Sequence, residues 1–161
     1  MERSEHTRLF GRSRRVNLSA RLAWAGVAVA CAGVLGVARS LTPSPTGLGT
    51  HQQLFGLAPC SFVIITGLPC PTCGMTTAFA HMTHGHPLAA FKVQPAGAVF
   101  CLGTVGMCLF SLYVAISGNL IVVNWDRIGP IRVMLALGVL ILGGWAFKIA
   151  HGLLTGELPI R

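Results

Sequence analysis

Three cysteines near the middle of the chain are spaced closely enough in sequence to bind a metal ion or to take part in disulfide exchange. Cys70 and Cys73 flank a proline and a threonine in a Cys-Pro-Thr-Cys motif, and Cys60 lies ten residues upstream. A thiolate is both a good metal ligand and a nucleophile in disulfide exchange. The remaining cysteines lie in apolar stretches, where a thiol usually acts as a small packing group: Cys31, Cys101 and Cys108.

Histidines accompany these cysteines, since half of the six in the chain are His81, His84 and His86 and a fourth is His51 upstream. At 100° per residue, positions 73, 77, 81 and 84 of a helix share one stripe. However, positions 73 and 81 are about 12 Å apart along a helix axis, which exceeds the reach of two ligands of one metal ion. A metal site would therefore combine Cys70 and Cys73 with residue 60 or 51, leaving His81 and His84 for another purpose.

Three interpretations of this cluster remain open. Cys70 and Cys73 form a redox-active dithiol, a chemistry that suits a thiol at a helix start. Alternatively, thiolate and imidazole ligands hold zinc or another thiolate-binding metal. In the third interpretation the cysteines are purely structural. Beyond the N-terminal tail the only acidic side chains are Asp126 and Glu157, which nearly excludes acid–base catalysis by carboxylates and makes an enzyme the less expected class.

The local residue pattern predicts a short helix over 71–84. Pro71 suits a first helical position, and Gly85, followed by a proline, ends the pattern. Gly74 shapes the start of the helix, and Thr76 and Thr77 lie in its first turns.

The composition of the whole chain indicates the class of protein to which this Cys/His segment belongs. Only 16 of 161 residues are charged, 12 basic and 4 acidic, while 53% are apolar. A soluble domain carries roughly a quarter charged residues, so this balance argues against a disordered chain or a soluble enzyme and favours a membrane protein. Between Leu22 and Trp125 the only charged residues are Arg39 and Lys92.

Long apolar runs predict three transmembrane helices, at 22–38, 96–123 and 133–154, the second entered at Pro95. In the third span Lys148 is expected to snorkel to the membrane surface. The apolar piece 54–68 is too short to cross and is expected to be an interfacial or re-entrant segment. It belongs to an outer loop over 39–59 and a Cys/His region over 60–95. The expected fold is all-α: an integral membrane protein with a Cys/His-bearing interfacial helix between the first two spans.

Arginines in the tail 1–21 predict its cytoplasmic location, because Lys and Arg are retained on that side. The loop 124–132 is then inside, and the tail 155–161 is outside. The first span is expected to be an uncleaved anchor, although Gly36 and Ala38 have signal-cleavage spacing. Expected partners are the lipid bilayer and other membrane proteins, and nucleic acid is not expected, because the basic tail has no interleaved aromatics.

The stretch 66–95, with Cys60 upstream, resembles an uncharacterised bacterial membrane family, domain of unknown function 2752. Its pattern is T-G-(I/L)-P-C-P-x-C-G-(M/L)-T-R-A, then His or Arg before Gly-Asp, an A-(F/W) pair, and Asn-Pro before a span. The resemblance covers roughly residues 60–100. The matching positions are Cys60, Gly67, Pro69, Cys70, Pro71, Cys73, Gly74, Met75, Thr76, Ala78, Gly85, Ala90, Phe91 and Pro95.

Three positions depart from the family pattern: Thr77 replaces arginine, His86 replaces aspartate and Gln94 replaces asparagine. If the activity of the family depends on that arginine and aspartate, this member is expected to be inactive or to have an altered activity. The resemblance implies a bacterial cytoplasmic membrane protein and supplies no reaction. The sequence therefore predicts a small accessory protein whose outer-face cysteines bind metal or cycle between thiol and disulfide. The alternative is a structural or interaction subunit of a membrane complex.

Overall fold

Three long helices dominate the computed structural model, which describes residues 10–45, 47, 49–54, 56, 58–123 and 129–155. The elements in chain order are β1 (Phe10–Arg15), α1 (Leu18–Ser40), a 3-10 turn (Thr50–Gln53), α2 (Ser61–Thr66), α3 (Met75–Thr83), α4 (Pro87–Val93), α5 (Pro95–Ser117), β2 (Asn119–Val123) and α6 (Pro130–Thr155). The three helices long and apolar enough to cross a membrane are Leu18–Ser40, Pro95–Ser117 and Pro130–Leu154. The membrane class and the interposed short helix are thus confirmed.

Local signals determine where these helices begin and end. The Asn17 side chain accepts a hydrogen bond from the Ala20 amide at 3.0 Å, so α1 begins four residues before the expected span. The helix α5 ends at Ser117, because Gly118 adopts a left-handed conformation with φ 68°. The expectation that the second span continues to residue 123 is therefore wrong.

Residues 119–123 instead form β2, which pairs antiparallel with β1 from the N-terminal tail. Arg14 lies opposite Leu120 and Arg15 opposite Asn119. This two-stranded sheet is an addition to the expected all-α fold. The rest of the tail (1–9), most of the expected inner loop (124–128) and nearly all of the C-terminal tail (156–161) lie outside the described residues.

The helices α1 and α5 pack side by side and run in opposite directions. The Arg21 guanidinium near the start of α1 donates to the carbonyls of Ala115 and Ile116 at the end of α5, both at 2.9 Å. A cation at a helix C-terminus satisfies free carbonyls and complements the helix dipole. One turn further, Trp24 packs edge-on against Phe110 with ring centroids 5.5 Å apart.

Short elements between α1 and α5 cover the opposite end of this pair. Small side chains allow close packing: Ala78 of α3, Ala90 of α4 and Ala98 of α5 form a buried cluster. A Cβ at Gly97 would lie 2.9 Å from the Cβ of Ala78, so only glycine permits this approach of α5 to α3.

The described part of the expected interfacial segment 54–68 contains α2 and contributes no span. Ile64 and Ile65 on α2 are 63% and 82% exposed within the chain, as expected for a segment in contact with lipid.

Candidate metal centre

The three cysteines of the motif region converge. The sulfurs of Cys60, Cys70 and Cys73 all lie within 4.8 Å of one another, and they form the one group of three or more metal-ligating side chains in the described part of the chain. The Cys70 and Cys73 sulfurs are 3.0 Å apart, and all three thiols are free and partly buried. Cys60 is brought into the group by the turn after α2, where Gly67 adopts φ 72° and reverses the chain.

A tight turn, rather than a helix, presents the two cysteines of the motif. The Cys73 amide donates to the Cys70 carbonyl at 3.0 Å and the Met75 amide to the Thr72 carbonyl at 3.2 Å. Gly74 follows with φ 90°. The helix α3 therefore begins at Met75, and the expectation of a helix from residue 71 is wrong, because a residue in the left-handed region interrupts the helical hydrogen bonds. The helix ends at Thr83, and Gly85 follows with φ 81°.

Side chains from α6 and from the start of α5 hold the carbonyl groups of this turn. The Trp145 indole donates to the Pro69 carbonyl at 2.7 Å, and the side-chain amide of Gln94 donates to the Pro71 carbonyl at 2.9 Å. The Lys148 ammonium donates to the carbonyls of Cys73 at 3.0 Å and Gly47 at 3.2 Å. Every second carbonyl from 69 to 73 thus has a donor from outside the turn.

The position of Lys148 differs from the sequence-based expectation that its side chain reaches the membrane surface. Lys148 is only 9% exposed and lies beneath the turn, so it does not snorkel to the membrane surface. Gly74 makes room for it, because a Cβ at this position would collide with the Lys148 ammonium and lie 3.0 Å from the Gly47 carbonyl. Sequence reasoning missed the roles of Trp145, Lys148 and Gln94; a lysine within an apolar span is the one signal that pointed toward them.

A cavity of about 420 Å³ opens in front of the thiols. Its walls include the three cysteines, Thr76 and His51. The His51 Nε2 lies 3.3 Å from the Ala58 carbonyl, and its ring lies outside the group of mutually close ligand atoms. His51 is thus a neighbour of the thiols across the cavity.

The other histidines lie beyond the thiol group, at the far end of α3. The His84 Nδ1 lies 2.8 Å from the Ala80 carbonyl, and the rings of His81 and His86 are 6.4 Å apart. Burial lowers the pKa of His81, and the neighbouring His86 and His84 lower it further.

The remaining motif residues have structural contacts. Thr77 is 1% exposed, and its hydroxyl lies 2.8 Å from that of Thr50, which joins α3 to the 3-10 turn. Pro95 occupies the first turn of α5, directly after Gln94. Thr77 therefore contributes a buried hydroxyl and no charge at this point of α3.

The two thiols of the motif differ electrostatically. Burial alone would raise the pKa of Cys70, but hydrogen bonds from Cys73 and Thr72 outweigh it and lower this pKa to about 7. Burial, together with the hydrogen bonds to Cys70 and Cys60, raises the pKa of Cys73 to about 12. Cys70 is thus the thiol that ionises first, and Cys73 is the donor that stabilises its thiolate.

Comparison with known proteins gives one match. No curated protein and no solved structure matches the chain. Residues 60–109 match the model of a family described as "Protein of unknown function (DUF2752)". The matched segment begins at the first site cysteine, contains the whole turn with α3 and α4, and ends within α5. Over these residues the chain resembles that family.

Proposed function

We propose that this protein binds a single thiophilic metal ion, such as zinc, at the outer face of the bacterial cytoplasmic membrane. The observation that supports this proposal is the convergence of three sulfurs within 4.8 Å of one another. Two of them come from one tight turn, whereas Cys60 comes from a separate segment that folds back to reach them. A dithiol makes no use of a third thiol, whereas a metal site needs at least one protein ligand beyond the two cysteines of the motif.

The donor set fits zinc. Zinc binds thiolates at about 2.3 Å in tetrahedral sites, so its sulfur ligands lie roughly 4 Å apart. The Cys70 and Cys73 sulfurs, at 3.0 Å, would separate by about 1 Å to accept the ion. The cavity leaves a fourth position open to water or to the His51 imidazole. Held by these residues, the ion would supply a Lewis-acid or metal-carrier site on the membrane.

A redox dithiol is the second candidate, because the 3.0 Å separation and the opposite pKa shifts of Cys70 and Cys73 suit a nucleophilic and a resolving thiol. In that chemistry the two thiols would form a disulfide and a partner disulfide would be reduced to two thiols. A structural subunit of a membrane complex, without thiol chemistry, is the third candidate.

Metal analysis of single variants separates these candidates. Protein purified in mild detergent under reducing conditions is expected to hold about one zinc per chain, and Cys60→Ser, Cys70→Ser and Cys73→Ser are each expected to lose it. Cys31→Ser, in the middle of α1, is the matched control and is expected to retain the metal.

Other results would favour the other candidates. A metal-free wild type with a Cys70–Cys73 disulfide in untreated cells, formed equally in Cys60→Ser, would support the dithiol. If neither metal nor disulfide is found, the cysteines are structural.

A further inference from the structure

Lys148 is a buried cation inside a membrane helix. It precedes the end of α6 by seven residues, about 10 Å along the helix axis, and only 9% of its surface is exposed. Its ammonium lies 3.0 Å from the carbonyl oxygen of Cys73, a residue that also supplies one of the three site sulfurs. A charged group held there is costly unless an anion compensates it.

Carboxylates do not provide that anion within the described residues. The chain has four acidic residues, and none lies in the described part: Glu2, Glu5, Asp126 and Glu157. The two groups bonded to the ammonium are both neutral carbonyls. Within the described part of the chain, the remaining candidates for negative charge beside Lys148 are the thiols of the adjacent site.

We propose that Lys148 is the internal counter-cation of the Cys60–Cys70–Cys73 site and that the occupant of this site is one divalent ion. Three thiolates carry three negative charges, and a dication leaves one of them uncompensated. The ammonium neutralises it, so the filled site and Lys148 together carry no net charge in an apolar environment. The statement about the occupant depends on the proposed function, whereas the counter-cation role does not.

The fold holds the ammonium in place. Glycine at 74 leaves the space that the Lys148 side chain fills. On the next turn of α6 toward its start, Trp145 is anchored to the Pro69 carbonyl, which fixes the face of α6 that meets the turn. Two of the three ammonium N–H groups are used by carbonyls, so the cation is positioned by the same turn whose thiols it compensates.

If Lys148 is the counter-cation, it raises the electric potential at the thiols, and thiol reagents of opposite charge can measure this effect. Two methanethiosulfonate reagents, one an anionic sulfonate and one a cationic trimethylammonium, react with Cys70 in metal-free, reduced protein, and peptide mass spectrometry follows both rates. In both reactions the Cys70 thiolate attacks the reagent, forms a mixed disulfide and releases methanesulfinate, so at one pH the ratio of the two rates cancels the thiolate fraction. The anionic-to-cationic ratio is expected to fall about threefold or more in Lys148→Gln, which keeps a hydrogen-bond donor and removes the charge.

Matched variants isolate the charge. Lys92→Gln changes an exposed lysine of α4 and is expected to leave the ratio within the measurement error, as is Glu157→Gln, the acidic residue closest in sequence to Lys148. Lys148→Arg keeps the charge and is expected to retain most of the wild-type ratio. If Lys148→Gln has the wild-type ratio, or if Glu157→Gln alters it as strongly as Lys148→Gln does, the counter-cation role is wrong.

Zinc titration against a chromophoric chelator tests the occupant. Wild type is expected to bind one zinc per chain, and Lys148→Gln is expected to bind it about 10–100-fold more weakly. Unchanged affinity in Lys148→Gln would overturn the charge balance with a dication. If the wild type binds no zinc, the proposed function and the divalent occupant both fail, and the reagent ratio still decides whether Lys148 compensates the thiolates.

Discussion

At the scale of single residues, the site depends on a backbone conformation that glycine adopts without strain. Gly74 has φ 90°, separates the turn of the two cysteines from α3, and lies against the Lys148 ammonium and the Gly47 carbonyl. One residue thus determines the direction of the chain after Cys73 and the space for the buried cation.

We expect Gly74→Ala to lower the stability of the protein and its metal content together. The left-handed conformation costs a non-glycine residue roughly 1–2 kcal/mol, and the new Cβ would also displace Lys148. Gly85→Ala is the matched control, because Gly85 has φ 81° and its Cβ would meet nothing within 4 Å.

Thermal unfolding in detergent and zinc content measure this difference. Gly85→Ala is expected to lose stability from the backbone term alone and to keep its zinc. Equal losses in the two variants would show that contact with Lys148 is unimportant.

At the scale of elements, the site is assembled by parts that are far apart in sequence. The turn from 69 to 73 is held by Gln94 at the start of α5 and by two residues of α6, Trp145 and Lys148. Because α6 is a membrane helix, any shift of this helix relative to α5 would pull on the backbone between the cysteines. The geometry of the thiols is therefore coupled to helix packing in the membrane.

Removing one of these contacts is expected to loosen the turn locally. Trp145→Phe keeps an aromatic ring and removes the indole donor to Pro69, at a cost of about 1 kcal/mol. Hydrogen exchange should become faster at the amides of Cys73 and Met75, which donate hydrogen bonds within the turn. Trp24→Phe, which retains a ring against Phe110 at the other end of the helix pair, is expected to leave exchange at the turn unchanged. Protection that persists in Trp145→Phe would mean that the indole does not order the turn.

At the scale of the whole molecule, the two ends of the helix bundle differ. One end carries the β1–β2 sheet and the Arg21 contacts with the end of α5. The other end carries the thiols, the cavity and the short helices α2 to α4. Under the rule that basic segments stay in the cytoplasm, the sheet would face the cytoplasm and the thiols the outside.

This orientation predicts which cysteines a membrane-impermeant reagent reaches in intact cells. After mild reduction and chelation of metal, a charged thiol reagent added outside is expected to label Cys60 and Cys70. Cys108, within α5 and 3.6 Å from the Ala28 carbonyl of α1, is the control that should stay unlabelled. Labelling of the motif cysteines only after the membrane is permeabilised would reverse the orientation.

Residue types and their spacing predict the class of the protein and identify the residues of the thiol cluster. Long uncharged runs have one stable form in lipid, the helix, because every backbone polar group must be satisfied internally. The three spans were therefore predictable. The separation of His81 and His84 from the thiols was also expected, although the helix on which that expectation rested begins only at Met75, after the cysteines. The turn at Gly74 and the end of α5 at Gly118 were less predictable, because a glycine permits the left-handed conformation without requiring it.

The surroundings of the site depend on contacts between segments that are far apart in sequence. No local pattern indicates that β1 pairs with β2, since the partners are about 110 residues apart in sequence. Likewise, Lys148 in isolation has the properties of a snorkelling lysine, and it becomes a buried cation only because α6 packs beneath the turn of Cys70 and Cys73. The thiol cluster could be predicted from residue types and spacing. The position of the Lys148 ammonium beside it could not, because it depends on how α6 packs against the other helices.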